Sequence, residues 1–560
     1  MRFAVIAALV AALASRTQAW AQATTSADLI VTARHIYTVD PVRPTVSAFA
    51  VKDGRIVFAG SAREAMTLRG PATRVLDLGT RTVIPGIVDA HLHLLGLGTS
   101  LRIVDLTGTR SYEEVVQRVA ARARTARPGE WVRGRGWNQN DWPVTQFPTH
   151  EALSRAVPDN PVVLERVDGH ALLANARALQ LSGITAATRD PAGGRIIRNA
   201  DGSPTGVFVD NAQGLVERAV PAPSRDETRE AILAAITELH RWGVVGVHDA
   251  GVRSATIDLY EELARNGQFE LRDYVMVSAD SADLARAFAR GPQSALYDGR
   301  LWIRAIKAFA DGALGSRGAA LLEDYADDPG NRGLLVTDSA TLQRTAIAAL
   351  KHGFQLCVHA IGDRANREVL NIDQVALDSV PTADHRFRIE HAQIINRQDL
   401  PRFAQLGVIP SMQTSHQTSD MYWAMNRIGW TRAQGAYPWR SLLASGVVIA
   451  NGTDAPVDPV NPMIRFHSAI SRQDADGWPA GGWFPAERMT RDEALASMTL
   501  WPAYASFTEQ QAGSITPGKF ADFVVLDQDI MTVAPERILE TSVLLTVLGG
   551  RTVYERSADR

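Results

Sequence analysis

The chain has 560 residues, of which 46% are hydrophobic and 21% are charged. Its 58 Lys and Arg residues nearly balance 61 Asp and Glu residues, for a net charge of −3 without a basic block. These values exclude disordered, collagen-like and coiled-coil chains and argue against nucleic acid as a partner. The single cysteine, Cys357, excludes a disulfide framework and every multi-cysteine metal site.

Residues 1–23 have the pattern of a secretory signal peptide. Arg2 precedes an apolar run, and Ala21-Gln22-Ala23 has the small-x-small pattern of a signal-peptidase site. The run is shorter than the ~20 residues of a transmembrane helix. We expect an exported protein, periplasmic or secreted, with no stable membrane anchor after cleavage. The alternative is a buried helix of the folded protein.

Both ends of the remaining chain predict short strands. Residues 24–82 alternate apolar and polar residues between Asp-Gly and Gly turns, which is typical of antiparallel strands. Residues 513–560 have the same character in GSITPGKFADFVVLD and SVLLTVLGGRTVYER. Two such fragments can complete one another, so we predict a small β-sandwich built from both chain ends.

Residues 83–512 alternate apolar strands with helical stretches. The strands are VIPGIVDAHLH, GVVGVHDAG, RDYVMVS, IRAIKAFADG, FQLCVHAIGD, RFRIEHAQ, GVIPSMQT and VVIANGTDAP. This alternation predicts an α/β fold, a (β/α)8 TIM barrel. Such barrels usually take ~250 residues, and the surplus is assigned to an insertion after strand one, at about residues 99–220.

Ionisable residues gather at the predicted carboxyl ends of the barrel strands, where active sites of such barrels lie. They are His91 and His93 on strand one, His359 on strand five, His391 on strand six and Asp454 on strand eight. A single histidine at a strand end is more often a core or capping residue. Four imidazoles and a carboxylate at the same end of one barrel instead indicate a site for Zn²⁺ or a similar divalent ion.

Lys307 lies in the apolar strand IRAIKAFA and is one of only four lysines in the chain. Burial lowers the pKa of a lysine side chain, so that its amine can be neutral and nucleophilic. It could then form a Schiff base, act as a general base, or react with CO₂ to give a carbamate that bridges two metals. The spacing does not choose among these three roles.

Further candidates lie in the insertion and the barrel loops. His170, in the sequence Asp168-Gly169-His170, could donate a hydrogen bond to a substrate carbonyl or merely cap a helix. Weaker substrate-binding candidates are Trp137, Arg317, Gln413 and His416.

The chain resembles the amidohydrolase superfamily, specifically its YtcJ-like branch, which includes N-substituted formamide deformylases. The resemblance covers nearly all of the chain after residue 23. It is carried by PGIVDAHLH (85–93), GWNQ (136–139), DGHALLAN (168–175), KAFADGALGSR (307–317), HAIGDRA (359–365), RIEHAQ (388–393), GTDAPV (452–457) and GSITPGKFADFVVLD (513–527).

This resemblance implies a barrel with a split β-sandwich and one or two divalent ions, with Zn²⁺ the expected metal. His91, His93 and Asp454 would bind one ion, and His359 and His391 the other. Lys307, carboxylated, would bridge them. Asp454 would also take a proton from the attacking water and return it to the leaving nitrogen.

The implied function is hydrolysis of a non-peptide carbon–nitrogen bond in a small linear amide or formamide. A mononuclear deaminase or cyclic amidase is an alternative, against which Lys307 counts because such deaminases typically lack it. A non-catalytic binding protein with the same fold is the alternative from another class, although such proteins usually lose metal ligands. A homodimer is expected from base rates alone.

Overall fold

The computed structural model describes residues 26–557, so the predicted signal peptide lies outside the described residues. The strands of this part of the chain form three separate sheets. None of the helices within residues 26–557 has the length and apolar character needed to span a bilayer.

One sheet combines strands from both chain ends. Its strands are β1 (Leu29–Tyr37), β2 (Thr45–Lys52), β3 (Arg55–Gly60), β4 (Arg74–Asp77), β5 (Thr82–Pro85), β21 (Phe523–Leu526), β22 (Val543–Leu548) and β23 (Arg551–Glu555). They are ordered β23-β22-β21-β5-β1-β2-β3, with β4 also paired to β1. The two ends meet where β5 runs antiparallel to β21, with Val83 opposite Val525.

The second sheet is a parallel barrel whose strands follow one another in chain order. They are β6 (Ile87–Leu92), β13 (Val244–Val252), β14 (Arg272–Ser278), β16 (Leu301–Phe309), β17 (Gln355–Ala360), β18 (Arg388–His391), β19 (Ile409–Met412) and β20 (Ala450–Asn451), with the short β15 (Gln293–Ala295) antiparallel to β16. The predicted (β/α)8 fold class is confirmed. The predicted first strand is in fact two, because the chain passes at Gly86 from the end sheet into the barrel.

Helices surround the barrel. The longer ones are Leu94–Ser100, Arg225–Arg241, Ser254–Arg265, Ser281–Arg290, Ser339–Lys351, Asp363–Ser379, Leu400–Leu406, Thr414–Asp420, Ala424–Ala433, Pro462–Ser471 and Arg491–Ser497. The helix after the insertion begins with a capping box between Ser224 and Glu227, a feature worth about 1 kcal/mol. It buries Ile232, Ile236 and Leu239 in the large apolar cluster between helices and barrel strands.

The third sheet belongs to the segment between β6 and β13. Its strands are β7 (Val104–Asp105), β8 (Val132–Trp137), β9 (Val162–Arg166), β10 (Ala171–Ala174), β11 (Gly194–Arg198) and β12 (Pro204–Asp210), ordered β11-β12-β10-β9-β8-β7. Helices Tyr112–Ala123, Glu151–Ala156, Ala176–Leu181 and Gly214–Glu217 accompany it. The segment has its own apolar cluster on each face of this sheet.

Candidate metal centre

The ends of the first and last barrel strands bring three potential ligands together. His91 Nε2 lies 3.5 Å from Asp454 Oδ1, and His93 Nε2 lies 3.2 Å from the same oxygen. The three residues are the one group of three or more His, Cys, Asp or Glu side chains in residues 26–557 whose donor atoms converge closely enough for a metal ion.

The other ring nitrogens of the two histidines are already used. His93 Nδ1 donates to the carbonyl of Ala250 at 2.9 Å, and His91 Nδ1 donates to the carboxylate of Glu390. In the neutral tautomer each Nε2 therefore carries a lone pair, and both lone pairs face an oxygen of Asp454. Three lone pairs directed at one point repel unless a cation lies among them, so this donor set fits a divalent metal.

Three further groups border this point. Lys307 Nζ is 3.3 Å from His91 Nε2. The His391 ring lies 4.9 Å from the His91 ring and 4.5 Å from the His359 ring, centre to centre. His391 Nδ1 donates to Gln413 Oε1 at 2.8 Å, which leaves its Nε2 for ligation. All six side chains assigned to metal binding from the sequence are thus neighbours.

Burial sets the protonation of these groups. It lowers the pKa of His359 and His391 well below the usual value, and that of Lys307 despite the opposing charges of Glu390 and Asp454. Burial opposes ionisation of Asp454, but the nearby imidazoles of His93, His91 and His391 outweigh it and hold its pKa well below the usual value. Neutral imidazoles and an ionised carboxylate are the forms that bind a metal.

Backbone strain accompanies two of the candidate ligands. His391 has φ 74° and Asp454 has φ 57°, both in the left-handed region. Such conformations cost about 1–3 kcal/mol and persist where the surroundings fix them. The backbone N–H of Asp454 donates to the carbonyl of His91 at 2.7 Å. Gly452 permits this approach, because a Cβ there would lie 2.5 Å from His91 N.

A buried ion network that the sequence analysis missed lies behind His91. Glu390 accepts from the His91 ring and pairs with Arg388, whose Nε is 2.7 Å from Glu390 Oε1. Arg388 also donates to the Ala90 carbonyl at 2.7 Å and to Ser411 Oγ at 2.8 Å. Burial alone would raise the pKa of Glu390, but Arg388 and His91 outweigh it and hold that pKa well below the usual range. The network fixes the tautomer and orientation of His91.

A cleft of about 840 Å³ opens over the centre and is roofed by the β7–β12 segment. Of the predicted catalytic and metal residues, those that line it are His93, His170, Lys307, His359, His391 and Asp454. The His170 ring lies 5.0 Å from the His359 ring. Its Nδ1 donates to Asp210 Oδ1 at 2.7 Å, so Nε2 is left for the cleft.

The four substrate-binding candidates lie outside the lining of this cleft. Trp137 is fully buried in the core of the β7–β12 segment, where its Nε1 donates to the Leu164 carbonyl at 2.9 Å. Arg317 pairs with Asp327 at 2.9 Å. The polar groups of Trp137 and Arg317 are thus used within the fold, and their role in substrate binding stays a prediction.

Gln413 and His416 lie beside His391 instead. Gln413 accepts from the His391 ring at 2.8 Å, so it orients a candidate ligand. The His416 ring is nearly parallel to that of His391 with centres 6.1 Å apart, and its Nε2 lies 3.5 Å from Asp458 Oδ2. Their role in substrate binding stays a prediction.

Comparisons with known proteins agree with this geometry. The family model described as "Amidohydrolase family" matches residues 74–554. The chain is 34% identical over 531 residues to the YtcJ protein of Bacillus subtilis, covering 93% of this chain and 98% of that protein. It is 30% identical over 549 residues to the N-substituted formamide deformylase of Arthrobacter pascens, covering 95% and 99%.

Among solved structures, a metal-dependent hydrolase from Pyrococcus horikoshii matches with a TM-score of 0.73 and 26% identity, covering 90% of this chain and 99% of that chain. The family resemblance predicted from the sequence motifs is confirmed.

Proposed function

We propose that this chain, which belongs to the amidohydrolase family and is a metal-dependent hydrolase, cleaves a non-peptide carbon–nitrogen bond in a small linear amide or formamide. The observation that carries the proposal is the convergence of His91, His93 and Asp454 beside Lys307 in one cleft. The relative named as an N-substituted formamide deformylase supports the type of bond.

The donor set favours one or two divalent ions, with Zn²⁺ the best match to imidazole and carboxylate ligands. His91, His93 and Asp454 would hold one ion, and His359 and His391 the other. Lys307, whose pKa burial lowers, would react with CO₂ as the free amine, and the carbamate would help to hold the ions. When bound, such ions lower the pKa of water to about 7 and polarise a substrate carbonyl.

Two side chains of this centre would move protons. Asp454 is ionised and buried beside His91 and His93, so it would accept a proton from the attacking water and pass it to the leaving nitrogen. Burial lowers the pKa of His170, but the hydrogen bond and charge of Asp210 outweigh it and the pKa is raised. That shift favours an imidazolium that donates from Nε2 to the substrate carbonyl.

We further propose that the protein is exported, because residues 1–23 have the basic, apolar and small-residue regions of a signal peptide. Fractionation of cells that express the full chain tests this. Mature protein in the periplasm or medium that begins after residue 23 agrees with export, and an intact amino terminus in the cytoplasm contradicts it.

The test of the function is metal content together with hydrolysis of N-substituted formamides. We expect two metals per chain, falling to one or none in Lys307→Ala with loss of hydrolysis, because the bridging group is removed. Lys351→Ala changes an exposed lysine and should leave both values unchanged. The measurements are elemental analysis and amine release.

Two results would contradict this proposal. One metal that survives Lys307→Ala, together with ammonia release from cyclic or amino-substituted substrates, would identify a mononuclear deaminase. Failure to bind metal after reconstitution would instead identify a binding protein.

A further inference from the structure

The imidazole of His170 has a dedicated partner that no motif singled out. His170 precedes β10 and Asp210 ends β12, and these two strands are paired antiparallel with Ala171 opposite Val209. The backbone N–H of Asp210 donates to the carbonyl of His170 at 3.0 Å. Asp210 has φ 51°, and this left-handed turn brings its carboxylate to the His170 ring.

The hydrogen bond fixes the ring. Asp210 Oδ1 accepts from His170 Nδ1 at 2.7 Å, and the Asp210 side chain is 1% exposed. With Nδ1 held by Asp210, Nε2 is the atom that remains for the cleft. The loss of this acceptor would free the ring to rotate and to change its tautomer.

The carboxylate of Asp210 fills a notch in the loop that follows the Lys307 strand. A Cβ on residue 312 would lie 2.5 Å from Asp210 Oδ1 and 2.6 Å from Oδ2, and a Cβ on residue 318 would come closer still to Oδ2. Neither Gly312 nor Gly318 has a positive φ. Space for Asp210, and not backbone conformation, is therefore what requires glycine at these two positions.

The same loop contacts the metal centre. The carbonyl of Gly312 lies 3.4 Å from His359 Nε2, and Asp311 Oδ1 lies 3.6 Å from that nitrogen. One loop thus holds the partner of His170 on one side and a candidate metal ligand on the other. It sets the spacing of the His170 and His359 rings.

We propose that Asp210 is the positioning residue for His170 and that the notch formed by Gly312 and Gly318 seats it, so that Nε2 of His170 faces a substrate bound at the metal centre. This inference rests on the proposed function for its activity assay. In this role Asp210 orients the His170 ring. A purely structural contact between the β7–β12 segment and the barrel would not require that orientation.

The first test compares Asp210→Asn and Gly312→Ala with wild-type enzyme. We expect kcat for a formamide to fall roughly 10–100-fold in each, as for other partners that orient an active-site imidazole, with metal content and KM unchanged. Gly214→Ala is the matched control, because a Cβ there meets nothing within 4 Å. Loss of metal with unchanged kcat per loaded chain would overturn the proposal.

A double-mutant cycle separates orientation from structure. If Asp210 acts through His170, Asp210→Asn should cause no further loss of kcat in the His170→Ala background. An equal further loss in that background would overturn the proposal. Gly312→Ala should likewise cause no further loss of kcat in the His170→Ala background. A second variant keeps the test valid if the first one folds poorly.

A spectroscopic test is independent of the substrate. If wild-type protein hydrolyses no amide, the proposed function fails, but the His170 tautomer can still be read from ¹⁵N spectra of zinc-loaded protein labelled at histidine. The His170→Ala variant assigns the resonance. A proton on Nδ1 in wild type, with an Nδ1 signal that changes in Asp210→Asn, supports the proposal; an Nδ1 that carries no proton in wild type overturns it.

Discussion

Glu390 and Arg388 act on the metal centre from behind His91, outside the lining of the cleft. The sequence contains both in RIEH, next to the predicted ligand His391. Charges inside an apolar strand are the signal that singled out Lys307, and the same signal applies here. Their partner could not be predicted, because His91 and Glu390 are 299 positions apart and meet only when the barrel closes.

Substitution of Glu390 by Gln should weaken zinc binding. The shape is kept, but His91 Nδ1 loses its anionic acceptor, and comparable losses cost 10–100-fold in metal affinity. Competition with a chromogenic chelator measures the Kd. Glu536→Gln changes an exposed glutamate and serves as the control. Unchanged affinity in folded Glu390→Gln would show that His91 needs no such partner.

At the scale of elements, strand runs and their order were predictable, because each barrel strand is a short apolar run bounded by polar or glycine residues. The boundary at Gly86 was not, since VIPGIVDAHLH reads as continuous. Gly86 packs closely at this boundary, because a Cβ on it would lie 2.4 Å from Val245 Cγ2. Its backbone N–H donates to the Asp522 carbonyl at 2.9 Å. Long-range contacts of this kind decide where one sheet ends and the next begins.

The helix Asp363–Ser379 contains a buried carboxyl that makes stability depend on pH. Asp373 is 1% exposed, and neither of its side-chain oxygens has a hydrogen-bond partner within residues 26–557. Burial raises the pKa of Asp373 to about 8, with Arg402 opposing. The unfolded carboxyl has a pKa of ~3.9. The folded chain therefore holds a proton that the unfolded chain releases, and stability falls as pH rises from about 4 to about 8.

We expect Asp373→Asn to stabilise the protein at pH 8 by a few kcal/mol, at about 1.4 kcal/mol per pKa unit, and to have little effect near pH 4. Urea unfolding at several pH values measures this. Asp378→Asn, an exposed position on the same helix, should leave the pH dependence intact. A uniform change in stability across all pH values would contradict the assignment.

At the scale of the whole molecule, the end sheet and the barrel are joined by a buried ion pair. Arg272 at the start of β14 donates to both carboxylate oxygens of Asp522, at 2.6 and 2.9 Å. Its guanidinium also lies 3.6 Å from the centre of the Phe520 ring. The sequence predicts that the two chain ends meet. It does not predict that Asp522 pairs with Arg272 of the barrel, because no local pattern distinguishes Arg272 from the other arginines.

Replacement of Arg272 by Met should cost roughly 3–5 kcal/mol, because Asp522 is left as a buried unpaired charge. The double variant Arg272→Met/Asp522→Leu should recover much of that loss. Arg286→Met breaks an exposed pair with Asp258 and should cost at most ~1 kcal/mol. Denaturant midpoints give the comparison. Equal losses of unfolding free energy in Arg272→Met and Arg286→Met would contradict a stabilising role for the buried pair.

The antiparallel pairing of β5 with β21 has a consequence for the order of events on the ribosome. Thr82–Pro85 is made before the barrel strands, yet its partner Phe523–Leu526 is made only after all of them. The end sheet and the barrel are connected at Gly86. The first barrel strand therefore follows directly on β5, whose edge stays unpaired until β21 is made. A nascent chain truncated before residue 523 should expose the edge of β5 to chaperones and proteases. Extension of the chain through β21 should protect β5 and β21 together.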